Sequence, residues 1–148
     1  MLVPVATDTV DALLQGVTDR PLAPGWPHDD TATALGFLHH GGVQFLIVDD
    51  EGRIAGECGT KTAPRADGSV EIGYGLAAHS RGHGLGSRAV TELVGWLCHQ
   101  PGVTVIEAEV HVSNTPSRRI VERLGFTADA PATAGYLRYR RMAQSGSP

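Results

Sequence analysis

Ser80-Arg81-Gly82-His83-Gly84-Leu85-Gly86-Ser87 is the stretch on which the reading of this chain turns. It follows a strand-like run over residues 70–76 and opens a helical run over residues 87–99, which predicts a strand–turn–helix corner. Three alternating glycines let the backbone turn tightly and present bare N–H groups. The helix adds first-turn N–H donors that have no intrahelical acceptor, together with the positive end of its dipole. Such a corner suits a phosphate or pyrophosphate. A plain strand-to-helix turn has a similar composition, so the rest of the chain must decide.

The stretch is not a phosphate loop of the Walker type, because no Gly-Lys-Ser/Thr follows at the required spacing. It reads Gly82-x-Gly84-x-Gly86 and lacks the G-x-G-x-x-G pattern of dinucleotide folds. The 148 residues carry a net charge of −4, with 41% hydrophobic and 19% charged residues, as expected for one soluble domain with a sizeable core. The only basic cluster is Arg138, Arg140 and Arg141, which argues against nucleic acid as a partner. No apolar run approaches membrane-span length, and the first residues lack a leader pattern, so the expected location is cytoplasmic. Cys58 and Cys98 lie far apart without a C-x-x-C partner and read as buried thiols. The seven histidines show no metal-ligand spacing, so no metal is expected.

Element by element, residues 2–6 read as an edge strand because of Pro4. Thr7 or Asp8 caps a helix with Val10, Leu13, Leu14 and Val17 on its apolar face. Residues 20–27 form a Pro-rich loop. Asp29 or Asp30 caps a second helix over residues 31–40, closed by Gly41-Gly42. Residues 43–48, 53–60 and 70–76 form a three-strand meander. In the third strand Ile72, Tyr74 and Leu76 face one way, and Glu71, Gly73 and Gly75 the other. The helix after the glycine turn buries Val90, Leu93, Val94 and Leu97, and residues 103–112 form a long strand. Thr115-Pro116 reads as an N-cap and first helical residue, and Gly125 with Phe126 as a Schellman stop. Residues 126–132 and 136–142 read as the last two strands, and residues 143–148 as a disordered tail. The order β-α-α-β-β-β-α-β-α-β-β predicts a mixed α/β (α+β) layer of about seven strands and four helices.

Two motifs carry a family resemblance. Arg81-Gly82-His83-Gly84-Leu85-Gly86 resembles the Arg/Gln-x-x-Gly-x-Gly/Ala pyrophosphate loop of the GNAT N-acetyltransferases. Asn114-x-x-Ser117, followed by Leu124-Gly125-Phe126, resembles that family's Asn-x-x-Ser/Ala…Leu-Gly-Phe signature. The element order is similar over nearly the whole chain. Ser117 is similar to the serine of the ribosomal-protein N-terminal acetyltransferase branch.

The resemblance implies a GNAT-like domain over residues 1–148 that moves acetyl from acetyl-CoA to a primary amine by direct attack. The acceptor would be a small-molecule amine or a peptide N-terminus, and a homodimer is allowed. Arg81, Gly82, Gly84 and Gly86 would hold the pyrophosphate of coenzyme A, with His83, Leu85 and Ser87 contributing backbone. The strand end at Leu76, Ala77 and Ala78 would pair with the pantetheine arm, and Leu76 N–H would serve the thioester oxygen. Asn114 would also bind the arm. Glu71 is the expected general base, with Glu57, Glu107 and Glu109 as rivals, and Ser117 the expected acid. The family's usual tyrosine acid is replaced by Val121, which leaves Tyr136 and Tyr139 as substitutes. Trp26, His28 and Phe37 would line the acceptor pocket, unless Trp26 and Phe37 simply belong to the core. The missing tyrosine also keeps open an acyl-CoA-binding sensor or interaction module with little turnover.

Overall fold

Hydrophobic alternation on the central strands decides which helices cover which face. A computed structural model describes residues 1–128 and 133–143. The elements run β1 (Leu2–Pro4), α1 (Val10–Leu14), α2 (Thr31–Gly36), β2 (Gln44–Val48), β3 (Ile54–Thr60), β4 (Ser69–Leu76), α3 (Leu85–Leu97), β5 (Val105–His111), α4 (Thr115–Arg123), β6 (Thr127–Ala128) and β7 (Tyr136–Met142). The sheet order is β1-β2-β3-β4-β5-β7-β6. This is the mixed seven-stranded sheet with four helices that the residue pattern predicts.

The four N-terminal strands are antiparallel neighbours; short turns join β2 to β3 and β3 to β4, whereas residues 5–43, with α1 and α2, connect β1 to β2. β4 and β5 run parallel, so α3 has to cross over between them. Val70, Ile72 and Leu76 of β4 and Ile106, Ala108 and Val110 of β5 bury one face against Val90, Leu93, Val94 and Leu97 of α3 and Val121 of α4. Tyr74 packs against the same cluster. On the other face Trp26, Leu35, Leu46 and Ile54 form a second core beneath α1 and α2. Every one of these aliphatic side chains is at most 9% exposed, so burial on both faces drives the fold.

Several local expectations are corrected. α1 ends at Leu14, and Gly16 at φ +77° turns the chain so that Val17 lies 63% exposed rather than on a core face. Asp30 occupies the N-cap position of α2 without a side-chain cap bond. The cap of α4 is Asn114, not Thr115: Asn114 Oδ1 accepts the Ser117 N–H at 3.2 Å. The Schellman stop is present, with Phe126 N–H donating to Val121 O and Gly125 at φ +88°. Residues 129–132 of the predicted sixth strand lie outside the described residues. Ala143, read with the tail, is 1% exposed and its N–H bonds Thr104 O; residues 144–148 lie outside the description.

Candidate active site

Pairing between β4 and β5 runs from Ser69↔Val105 to Ile72↔Ala108, yet β4 continues to Leu76 and β5 to His111. The two strands therefore part at their C-terminal ends. In an open α/β sheet, this end of a parallel pair is where ligands bind. A cavity of about 240 Å3 occupies the gap, lined among others by Gly73, Tyr74, Asn114, Ser117 and Tyr136. The backbone of β4 faces it by alternation. Ala77 N–H donates to Ala55 O on the β3 side, which turns the N–H of Leu76 toward the side where β5 has departed. Leu76 O is taken, because Arg81 Nε donates to it at 3.2 Å.

The glycine turn stands directly beyond this strand end. A short 3-10 turn, Ala78–Ser80, leads to Gly82 at φ +82° and Gly84 at φ +80°, where α3 begins. Leu85 and Gly86 already lie in the helix, two residues earlier than predicted. A Cβ at Gly82 or Gly84 would meet nothing within 4 Å, so these glycines are demanded by conformation and the surface beside them is open. His83 is exposed and Ser87 half-buried. The first-turn N–H groups of α3 and the positive-φ corner thus present donors toward open space. An extended gap ending at an anion-binding corner fits a long thiol arm attached to a pyrophosphate.

Within the gap the structure pairs two hydroxyls. Tyr74 O–H donates to Ser117 Oγ at 2.6 Å, joining β4 to the first turn of α4. Burial pushes the Tyr74 phenol above its usual range, while the Ser117 bond pulls in the opposite direction. Tyr136 also lines the gap, with its ring edge-on to His111 at 5.1 Å. Tyr139 does not. It is 2% exposed in the cluster beneath α3 and α4, where its O–H donates to Glu122 Oε2 at 2.6 Å. Arg118 donates to Tyr139 Oη and to Val112 O. Val121 is fully buried, so the expected tyrosine position belongs to the core.

Glu71 sits on the opposite face of β4 from Tyr74, as alternation predicts, and its surroundings are crowded with cations. Lys61 Nζ donates to it at 2.6 Å, and Arg65 and Arg138 stand at 3.9 Å and 4.0 Å. Its cross-strand neighbour Glu107 is ion-paired to Arg65, Arg138 and Arg140, and Glu109 to Arg138. Glu71 is thereby committed to a charge network that spans the β3–β4 connection, β4, β5 and β7. Glu57, opposite Gly75 on β3, is 1% exposed and accepts hydrogen bonds from Trp26, His28 and Thr31. Trp26 is core at 4% exposure, and Phe37 lies under Lys61. The sequence reading missed the pairing of Tyr74 with Ser117, although alternation already put Tyr74 on the face that α4 covers.

Among the described residues, no group of three or more His, Cys, Asp or Glu could hold a metal ion. No helix among them is long and apolar enough to cross a membrane.

A family model, Acetyltransferase (GNAT) domain, matches residues 1–127. The chain belongs to the GNAT acetyltransferase family, whose acyl donor is acetyl-CoA. An uncharacterized N-acetyltransferase p20 of Bacillus licheniformis is 33% identical over 81 residues, covering 55% of this chain and 46% of that protein. The match thus spans about half the length of that curated relative. Among solved structures, the ribosomal-protein-S5-alanine acetyltransferase of Vibrio fischeri superposes with a TM-score of 0.70 at 15% identity, covering 99% of this chain and 94% of that one. The microcin C7 self-immunity acetyltransferase MccE, solved with acetyl-CoA and AMP, superposes with a TM-score of 0.66 at 18% identity, covering 95% and 91%. Both share the fold.

Proposed function

We propose that this chain transfers acetyl from acetyl-CoA to a primary amine by direct attack of the amine on the thioester. The observation that carries the proposal is the parting of β4 from β5, with an anion-binding corner at one end and a hydroxyl pair inside it. Residues 82–87 would hold the pyrophosphate, and Arg81 would brace the corner against Leu76 O while reaching the same anion. Leu76 N–H would meet the oxygen on which charge develops. Asn114 Oδ1 is committed to capping α4, so its amide N–H group is the part directed to the pantetheine arm.

Acetyl-CoA supplies an activated acyl group and a thiolate leaving group. As the C–N bond forms and the C–S bond breaks, Ser117 O–H protonates the departing sulfur. Tyr74 O–H, which already donates to Ser117 Oγ, restores the serine and is refilled from water. A phenol is protonated at neutral pH, as a donor requires, and burial moves Tyr74 further from ionisation. Glu71 could take the amine's proton only by leaving Lys61 Nζ at 2.6 Å, and we assign it to holding the open face of the sheet. A small amine or a peptide N-terminus would approach from that face.

Thermal denaturation tests the cofactor half of this proposal. Millimolar acetyl-CoA or coenzyme A should raise the melting temperature, because at a hundredfold excess over Kd mass action stabilises the folded state by about 2.7 kcal/mol. An unchanged melting temperature with both ligands contradicts the proposal. Binding without transfer to any amine would favour the alternative of a coenzyme A-binding module.

A further inference from the structure

We propose that His28 is the group that takes the proton from the attacking amine, and that Glu57 positions it. This assignment rests on the acetyl-transfer reading above. Glu57 lies on β3 directly opposite Gly75 of β4, one residue before the Leu76 N–H that faces the gap. Its Oε1 accepts from Trp26 Nε1–H at 3.1 Å and from Thr31 Oγ–H at 2.9 Å, and its Oε2 contacts His28 Nε2 at 2.8 Å. On the other side of the imidazole, Asp30 N–H donates to Nδ1 at 3.2 Å. A ring nitrogen that accepts a backbone N–H carries no proton, so the network assigns the proton to Nε2, where it is donated to Glu57. Nδ1 therefore holds the basic lone pair, which accepts one exposed 3.2 Å bond from Asp30 N–H and takes a proton when the amine displaces that contact.

Gly75 is what brings this pair to the reacting strand. A Cβ at Gly75 would stand 2.9 Å from Glu57 Oε2, 2.9 Å from His28 Cε1 and 3.1 Å from His28 Nε2. Only a glycine lets the imidazole edge lie against the β4 backbone there. A second cavity, of about 460 Å3, opens at His28 and is lined by Pro24, Asp29, Asp30, Ala78 and Arg81. Its lining runs from His28 to Ala78 and Arg81, which lie in the chain between Leu76 and the glycine corner. By contrast, Glu71 has Lys61 bonded to its carboxylate.

The proton balance is complete. The amine nitrogen forms the C–N bond, and its surplus proton goes to His28 Nδ1 directly or through one water. The sulfur receives its proton from Ser117, and His28 returns its proton to solvent. Glu57 stabilises the imidazolium without itself being protonated, so it is a positioning residue.

The test separates a catalytic His28 from a merely structural one. His28→Gln places an amide N–H where Nε2–H meets Glu57, so it keeps the clamp and removes the base. With acetyl-CoA and an amine that wild-type protein acetylates, His28→Gln and His28→Ala should each lose about 10²–10⁴-fold in kcat. KM for acetyl-CoA and the acetyl-CoA-induced melting shift should stay within about threefold and a degree of wild type, if cofactor binding is independent of this base. Added imidazole should restore His28→Ala in proportion to its concentration. Glu57→Gln, which forces a donor against Nε2 and reverses the tautomer, should lower kcat without restoration by imidazole. A His28→Gln protein with wild-type kcat overturns the proposal. So does a loss confined to Glu71→Gln. If wild-type protein binds acetyl-CoA but acetylates nothing, the enzymatic reading itself fails and this assignment falls with it. A wild-type enzyme indifferent to His28 overturns the assignment alone.

Discussion

Cys58 shows how burial, helped by the nearby carboxylates of Glu57 and Glu92, sets a residue's chemistry. It is 1% exposed on β3, and burial pushes its thiol up to about 12 from 9.0. A thiol that resists ionisation is a poor nucleophile, so native protein at pH 8 should react with maleimide at Cys58 only on the timescale of unfolding, as read by peptide mass spectrometry. The folded value lies above the unfolded one, so the stability it contributes is fully present below pH 9 and declines as pH rises toward 12. Urea titrations should show that decline in wild type and a shallower one in Cys58→Ala. Tyr74 and Ser117 belong to the same scale. Tyr74→Phe should lower kcat about tenfold and Ser117→Ala about a hundredfold, with the double variant no worse than Ser117→Ala, because the two act in series. Ser117 was legible in the Asn-x-x-Ser motif. The link to Tyr74 required the spatial meeting of β4 and α4, separated by 43 residues in sequence.

The glycine corner is an element with a conformational demand. Gly84 at φ +80° starts α3, and no clash awaits a methyl group there. Gly84→Ala should therefore cost about 1–2 kcal/mol from the left-handed backbone alone. Its acetyl-CoA affinity should fall further, because a relaxed corner misdirects the N–H groups; calorimetric titration reads this directly. α4 depends on its cap in the same way. Asn114→Ala should destabilise by about 1 kcal/mol, where Thr115→Ala should cost less, because the cap bond comes from Asn114. The corner, the crossover helix and the Schellman stop were all readable from glycine spacing and apolar periodicity. The cap was misplaced by one residue because Asn-Thr-Pro offers two side chains of similar capping propensity. α1 was read too long because Val17 continues the apolar period past Gly16, where the chain in fact turns.

Across the whole molecule the sheet has two unlike faces. One is aliphatic beneath α3 and α4. The other carries, beside the core under α1 and α2, two like-charged neighbours in register, Glu71 and Glu107. Lys61, Arg65, Arg138 and Arg140 make that juxtaposition tolerable. Lys61 is 35% exposed, so solvent screens it in part. Lys61→Met should cost about 1 kcal/mol, a fall of about 2–4 °C in melting temperature that shrinks in high salt. Alternation along β5 puts Glu107, Glu109 and His111 on one face, but does not say what neutralises the carboxylates, since β7 and the β3–β4 turn supply the cations from far along the chain. For the same reason Glu71 looked open and Glu57 looked like one rival among several. Register places Glu57 beside Gly75 and brings Trp26, His28 and the first residue of α2, Thr31, onto it, which no local pattern announces.

Acetyl transfer is the claim on which the site assignments depend. Purified chain should be incubated with acetyl-CoA and a panel of primary amines that includes polyamines and short peptides with unblocked N-termini. Mass spectrometry should find at least one N-acetylated amine, formed in equal amount to coenzyme A and strongly reduced with Ser117→Ala. Acetyl-CoA that remains intact across the whole panel would contradict it.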